Sequence, residues 1–164
     1  MARQSASRGQ ADGPVWPDAL VELYRAQYRP MVRLAYLLTG SSALAEEVVQ
    51  DAFIRVRRRL ADVDRPVGYL RTAVVNGCRN EHRRADVARR LGPAAACSRS
   101  VEDEVDDLGD ALARLPERQR AVLVLRYYLG QSEADIAASL RCRPGTVKSL
   151  AHRGLAALRE VIEP

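Results

Sequence analysis

Apolar residues in this chain recur at steps of three and four, and nowhere do they alternate with polar ones over any length. That spacing lays a stripe along a helix, whereas a half-buried strand needs a period of two, so the fold class is all-α. The first stripe runs through Leu20, Tyr24, Tyr28, Met31, Ala35 and Leu38. Pro30 falls inside it; a proline lacks the amide donor and crowds the preceding turn, which predicts a kink or two abutting helices. Gly40 suits a left-handed helix end and Ser42 an N-cap for the next helix. The second stripe is Ala45, Val49, Ala52, Val56 and Leu60. Pro66 fits the first turn of a third helix, whose buried positions are Tyr69 or Leu70, Ala73 or Val74, and Gly77 or Cys78.

Charge is unevenly spread over these helices. Lys plus Arg number 26 against 21 Asp plus Glu, and the net charge of +5 with a pI near 9.5 favours a polyanionic partner. Glu46, Glu47, Gln50 and Asp51 lie off the apolar stripe of the second helix, and Glu46 and Glu47 stand near its positive end. Another side of the third helix shows Thr72, Asn76, Arg79, Asn80 and Arg83 at helical spacing. The composition then changes at "LGPAAACSRSVEDEVDD", and from Glu102 to Asp110 carboxylates stand without a cation. A structureless stretch of that length is uncommon inside one compact domain, so it reads as a linker. The expected division is a tail at 1–17, a helical domain at 18–91, a flexible acidic linker at 92–107 and a second small helical domain at 108–164.

Several function classes are disfavoured. Three cysteines, Cys78, Cys97 and Cys142, are odd in number and widely spaced, which suggests no disulfide framework and a reducing compartment, hence the cytoplasm. No apolar run reaches the roughly 18 to 20 residues of a membrane span, and the opening "MARQSASRGQADGPVWPD" has no apolar core like that of a secretory signal. An enzyme is not expected: there is no phosphate-cradling glycine loop and no nucleophile beside a base. Cys78 and His82, four apart on one helix face, form half of a metal site at most, so no metal or cofactor is expected.

The stretch "QSEADIAASLRCRPGTVKSLAHRG" narrows the choice. Ser132 with Asp135 three residues on makes a capping-box-like start, and Pro144 suits the first turn of a second helix. Ile136 and Leu140 are apolar, Ala137 is small where two helices would touch, and Cys142, Val147 and Leu150 are apolar again. These are the requirements of a helix-turn-helix, whose second helix packs on its partner with one face and enters the DNA major groove with the other. Lys148, Ser149 and His152 then fall on the outer face, Arg143 and Thr146 at the leading end, and Arg153 and Arg159 where phosphates pass. Arg141 occupies a turn position where a left-handed backbone usually selects glycine.

Taken together, these segments resemble the extracytoplasmic-function sigma factors of bacterial RNA polymerase, over nearly all of residues 18 to 160. "ALAEEVVQDAFIRV" is similar to the family's acidic helix, "YLRTAVVNGCRNEHRR" to its minus-ten-recognising helix, and "LARLPERQRAVLVLRYYLGQSEADIA" with "GTVKS" to its minus-thirty-five-reading domain. The resemblance implies that Glu46, Glu47, Gln50 and Asp51 meet the β′ clamp helices of core polymerase. It implies that Arg71, Asn76, Arg79, Asn80 and Arg83 serve the minus-ten element, with Asn76 as the first candidate for a base contact. Arg143, Thr146, Lys148, Ser149, His152 and Arg153 then serve the minus-thirty-five element. Further implied partners are the β flap, promoter DNA and an anti-sigma factor, with no membrane association. The acidic linker reads either as a mimic of nucleic-acid charge in the polymerase channel or as a solvated spacer.

The chain also departs from the family pattern. Leu150 follows "KS" where a polar DNA-contacting residue is frequent, so either that contact is missing or the position turns inward. Arg57 stands where an aromatic is frequent in the clamp-binding helix. Aromatic residues make up only 5% of the chain, which limits the stacking platforms that could capture unpaired bases and shifts that task to a loop between about Asp62 and Gly68. The rival reading is a stand-alone helix-turn-helix regulator, which leaves the acidic helix and the second basic helix without a task.

Overall fold

Gly40 ends the first helix and sets where the second begins. The structure, a computed structural model, describes residues 16–91 and 107–163. Helix α1 is Asp18–Thr39, and Gly40 follows at φ +71° with its amide donating to the Tyr36 carbonyl at 2.7 Å. The cap of α2 (Ser42–Arg59) is Ser41, one residue earlier than expected: its backbone is extended and its Oγ accepts from the Leu44 amide at 3.4 Å. Thr39 holds it there, because its Oγ1 accepts the Ser41 amide at 3.3 Å. Pro30 lies within α1, which is one helix and not two. The proline faces solvent, where water can serve the carbonyl that loses its amide partner.

Helix α3 is Pro66–Leu91, reached through a 3-10 turn at Leu60–Asp62. The three helices pack pairwise. Of the alternatives open in α3, Leu70, Val74 and Cys78 are the buried ones, at 0%, 0% and 1% exposure. Leu34, Leu37, Val48 and Phe53 widen the expected stripes of α1 and α2. Each fully buried Leu or Phe contributes about 1.5–3 kcal/mol relative to exposure. Tyr24 and Tyr28 stack at 4.7 Å and lean on Phe53, so both stay at the rim. At Gly77 the helices α2 and α3 approach so closely that a Cβ would stand 2.7 Å from Val48 Cγ1.

Two expected boundaries shift. Trp16 and Pro17, assigned to the tail, belong to the folded part: Trp16 packs on the core with the Arg57 guanidinium 5.6 Å from its ring, and Pro17 is the N-cap of α1. Asp107, assigned to the linker, opens helix α4. Residues 1–15 of the expected tail and 92–106 of the expected linker lie outside the described residues.

The second half comprises α4 (Asp107–Ala113), α5 (Glu117–Leu123) running on into a π-helical turn at Val124–Tyr128, α6 (Glu133–Leu140) and α7 (Pro144–Ile162). Helices α4, α5 and α6 all touch α7. Gly154 lets α5 come close, since a Cβ there would meet Leu123 at 3.2 Å. Helix α1 packs on α4, on α5 and on the π-helical turn, so the two halves share one apolar core. All the regular structure among the described residues is helical.

Candidate nucleic-acid interface

The turn between α6 and α7 is built as the sequence requires. Ser132 Oγ accepts the Asp135 amide at 3.1 Å and donates to Asp135 Oδ2 at 2.6 Å, which starts α6. Arg141 ends it at φ 50° and ψ 53°, the one positive-φ non-glycine residue among those described. Amides of Arg141 and Cys142 return to the carbonyls of Ala138 and Ala137 at 3.3 and 2.9 Å, which offsets the roughly 1 kcal/mol that a Cβ costs in this conformation. Pro144 then opens α7.

Ile136, Ala137, Val147, Leu150 and Ala151 are buried between the helices. Leu150 thus turns inward, which answers why no polar side chain stands there. Arg143, Lys148, Ser149, His152 and Arg153 are exposed on the opposite face, with Thr146 half-buried at its leading end. Arg153 Nε donates to the Ser149 carbonyl at 3.3 Å, and Ser149 Oγ to the Gly145 carbonyl at 3.1 Å, so both lie along the helix. Glu133 went unnoticed in the sequence, where it reads only as a first-turn acid. Its two oxygens face Arg126 at 3.0 Å and Lys148 at 3.8 Å, tying the outer face of α7 to α6 and the π-helical turn.

On α3 the expected residues separate. At about 100° per residue, Arg79 and Asn80 mark the two edges of an arc that contains Asn76 and Arg83. Asn80 borders a small cleft against α2 that includes Asp51 and Arg55. Arg79 reaches the other way, and its Nη1 donates to the main-chain carbonyl of Ser139 on α6. Burial, together with the like charges of Arg141 and Arg83, holds its guanidinium below the ordinary arginine range, though it stays charged. Arg71 lies about 140° from Asn76, on the packed side, and its Nε is buried with no hydrogen-bond partner. Asn76 is half-exposed and Arg83 exposed. On α2, Glu46, Glu47, Gln50 and Asp51 are all exposed.

A helix-turn-helix pair, a basic amide-bearing helix and an acidic helix thus share one chain. Residues 23–88 match the Sigma-70 region 2 family, and residues 106–158 match the Sigma-70, region 4 family. The ECF RNA polymerase sigma factor SigL of Mycobacterium tuberculosis is 34% identical over 154 residues, covering 86% of this chain and 87% of that protein. The chain belongs to the ECF RNA polymerase sigma factors. The RNA polymerase sigma-E factor of Streptomyces avermitilis is 35% identical over 151 residues, covering 87% of this sigma factor and 84% of its relative. Two solved structures share the fold. The sigma factor RpoE of Bartonella quintana, in complex with the anti-sigma factor NepR, superposes with a TM-score of 0.66 at 21% identity over 90% of this chain and 98% of that one. CnrH, in complex with the cytosolic domain of CnrY, gives 0.59 at 23% identity over 89% and 88%. Like other members of its family, this sigma factor acts in promoter-specific transcription initiation. Among the described residues no helix is long and apolar enough to cross a membrane, and His, Cys, Asp and Glu side chains form no metal-binding group.

Proposed function

We propose that residues 18–91 bind core polymerase and read the minus-ten element, while residues 108–164 read the minus-thirty-five element, with 92–107 as the connection and 1–17 as a tail. The exposed carboxylates Glu46, Glu47 and Asp51, with Gln50, meet the β′ clamp helices, where they pair with cations. Asn76 reads an exposed base edge, and Asn80 and Arg83 support it on the same arc with amide and phosphate contacts. Arg79 joins them once it leaves Ser139. Arg71, on the packed side, acts by holding α3 in place. Arg143, Thr146, Lys148, Ser149, His152 and Arg153 form the major-groove face of α7.

The observation that carries this reading is the coexistence of all three surfaces on one small chain, since a stand-alone regulator needs just the last. The protein works with polymerase in the cytoplasm and catalyses nothing itself. The β flap is a second contact on polymerase. An anti-sigma factor is a further partner, a reading supported by the NepR complex of the Bartonella relative. The segment from Asp62 to Gly68, whose residues from Pro66 on form the first turn of α3, holds a captured base, and permanganate probing of promoters with that segment substituted would test it; unchanged opening would refute it.

Transcription of a genomic DNA library by purified core polymerase, with and without this protein, tests the whole. New RNA starts sharing a two-part upstream element are expected. Tight duplex binding by the protein alone, with no new starts, would make it a stand-alone regulator.

A further inference from the structure

A cleft of about 400 Å³ opens along the seam between the two halves. Arg79, Arg83 and Asp86 of α3 form one wall, and Glu117 and Arg118 of α5 with Arg141 of the helix-turn-helix turn form the other. Four arginines therefore line a concavity that has just two acidic residues. Of these, Glu117 lies 3.6 Å from His82 Nδ1, and Asp86 has an interaction of its own. Arg83, Arg118 and Arg141 form no ion pair among the described residues. The cations outnumber the carboxylates, and Arg83 and Arg141 are close enough for their like charges to act on Arg79, a repulsion that an anion in the cleft offsets.

We propose that this cleft binds a small molecule bearing two or more phosphate groups, bridging Arg79 and Arg83 of one half to Arg118 and Arg141 of the other. The planar guanidinium fork matches phosphate oxygens two at a time, and the cleft contains no lysine. Its volume falls in the range of ordinary ligand pockets, and the boundary between two packed units is where such pockets form. A bound polyphosphate neutralises the mutual repulsion of the four cations, so it holds the halves together. Arg79 and Arg83 would then be unavailable to the minus-ten element; that consequence alone rests on the function proposed above.

The test uses the full chain without polymerase, and inorganic tripolyphosphate as the probe. Calorimetric titration and thermal unfolding are followed for the wild type, for Arg118→Gln and Arg141→Gln, and for Arg25→Gln, an exposed α1 control remote from the cleft. Binding is expected for the wild type and for Arg25→Gln, weakened about tenfold by each cleft substitution. Circular dichroism confirms that the variants fold. Equal binding by all four proteins, or stabilisation no greater than that by sulfate at matched ionic strength, would overturn the site. ATP and GTP run in parallel distinguish a nucleotide from a bare phosphate chain: tighter binding than tripolyphosphate points to the nucleotide. A hexaglutamate peptide that binds as tightly as tripolyphosphate would overturn the phosphate assignment in favour of an acidic peptide. Promoter starts are mapped separately without these ligands, so loss of the site and loss of the sigma assignment give different results.

Discussion

The imidazole of His82 and the carboxylate of Glu117 face each other at 3.6 Å across the seam between the two halves of the molecule. The other ring nitrogen of His82 lies 3.0 Å from the Leu38 carbonyl, which can only accept, so a hydrogen bond there requires the proton on Nε2. One side chain on α3 thus touches both α1 and α5. His82→Ala should lower the unfolding free energy by about 1 kcal/mol through the lost bond to Leu38, and Glu117→Gln by less, as befits a partly exposed pair. Urea midpoints of the two variants check this; a larger loss for Glu117→Gln than for His82→Ala would reverse the ranking.

Asn76 sits in the middle of the α3 arc and is not committed to a neighbouring helix. Asn76→Ala should leave polymerase binding unchanged while lowering discrimination between a matched minus-ten element and a single-base variant by about tenfold. Run-off transcription from paired templates measures it, and preserved discrimination would remove Asn76 from the base-reading set.

Adjacent positions on α7 should behave oppositely. Leu150→Ala opens a hole between α6 and α7 and should cost about 2–4 kcal/mol of stability. Lys148→Ala, on the exposed face, should change stability by less than about 0.5 kcal/mol while weakening promoter binding and its salt dependence. Thermal unfolding and salt-dependent binding of the polymerase complex separate the two.

Burial pushes the Cys78 thiol up to about 12, against an ordinary value of 9.0. The folded state therefore keeps a proton that the unfolded chain releases. The stabilisation is complete below pH 9 and is lost as pH rises toward 12, at up to about 1.4 kcal/mol per unit. Cys78→Ala should flatten that alkaline limb of the stability profile. At neutral pH, a thiol reagent should label half-buried Cys142 well before buried Cys78.

Gly77 and Val48 should be coupled. Gly77→Ala gains helix propensity but drives a methyl against the stiff Val48 side chain, for a net cost of about 1 kcal/mol. In the Val48→Ala background the same substitution should be neutral or stabilising, and a double-mutant cycle by denaturation reads the difference. Strict additivity would show that the helices separate freely at this point.

The helices, the turn at Arg141 and the outer face of α7 were legible in the sequence, because each depends on residues within a few turns of one another. Leu150 could be assigned to either side until its burial was known. Phe53 and Val48 escaped the single-stripe reading because α2 packs against two helices and so buries a wider face than one row of residues. Ser41 displaced Ser42 as the cap because Thr39 binds the Ser41 amide, a side-chain contact that spacing does not encode. The seam was invisible: Arg79 and Ser139 are 60 residues apart, and nothing local marks either as a partner. Arg71 stands about 140° around the axis of α3 from Asn76, an angle that a count of arginines along the helix does not give.

If Arg79 serves the minus-ten element as proposed, its bond to Ser139 would give the protein a way to choose when it recognises a promoter. A guanidinium held by α6 would be absent from the set that reads DNA, so promoter contact by Arg79 would compete with an internal one. A closed form favoured by about 1.4 kcal/mol would weaken apparent promoter affinity tenfold, and a partner that separates the halves would restore it with no new contact to DNA. Sequence preference and timing would then reside in the same side chain.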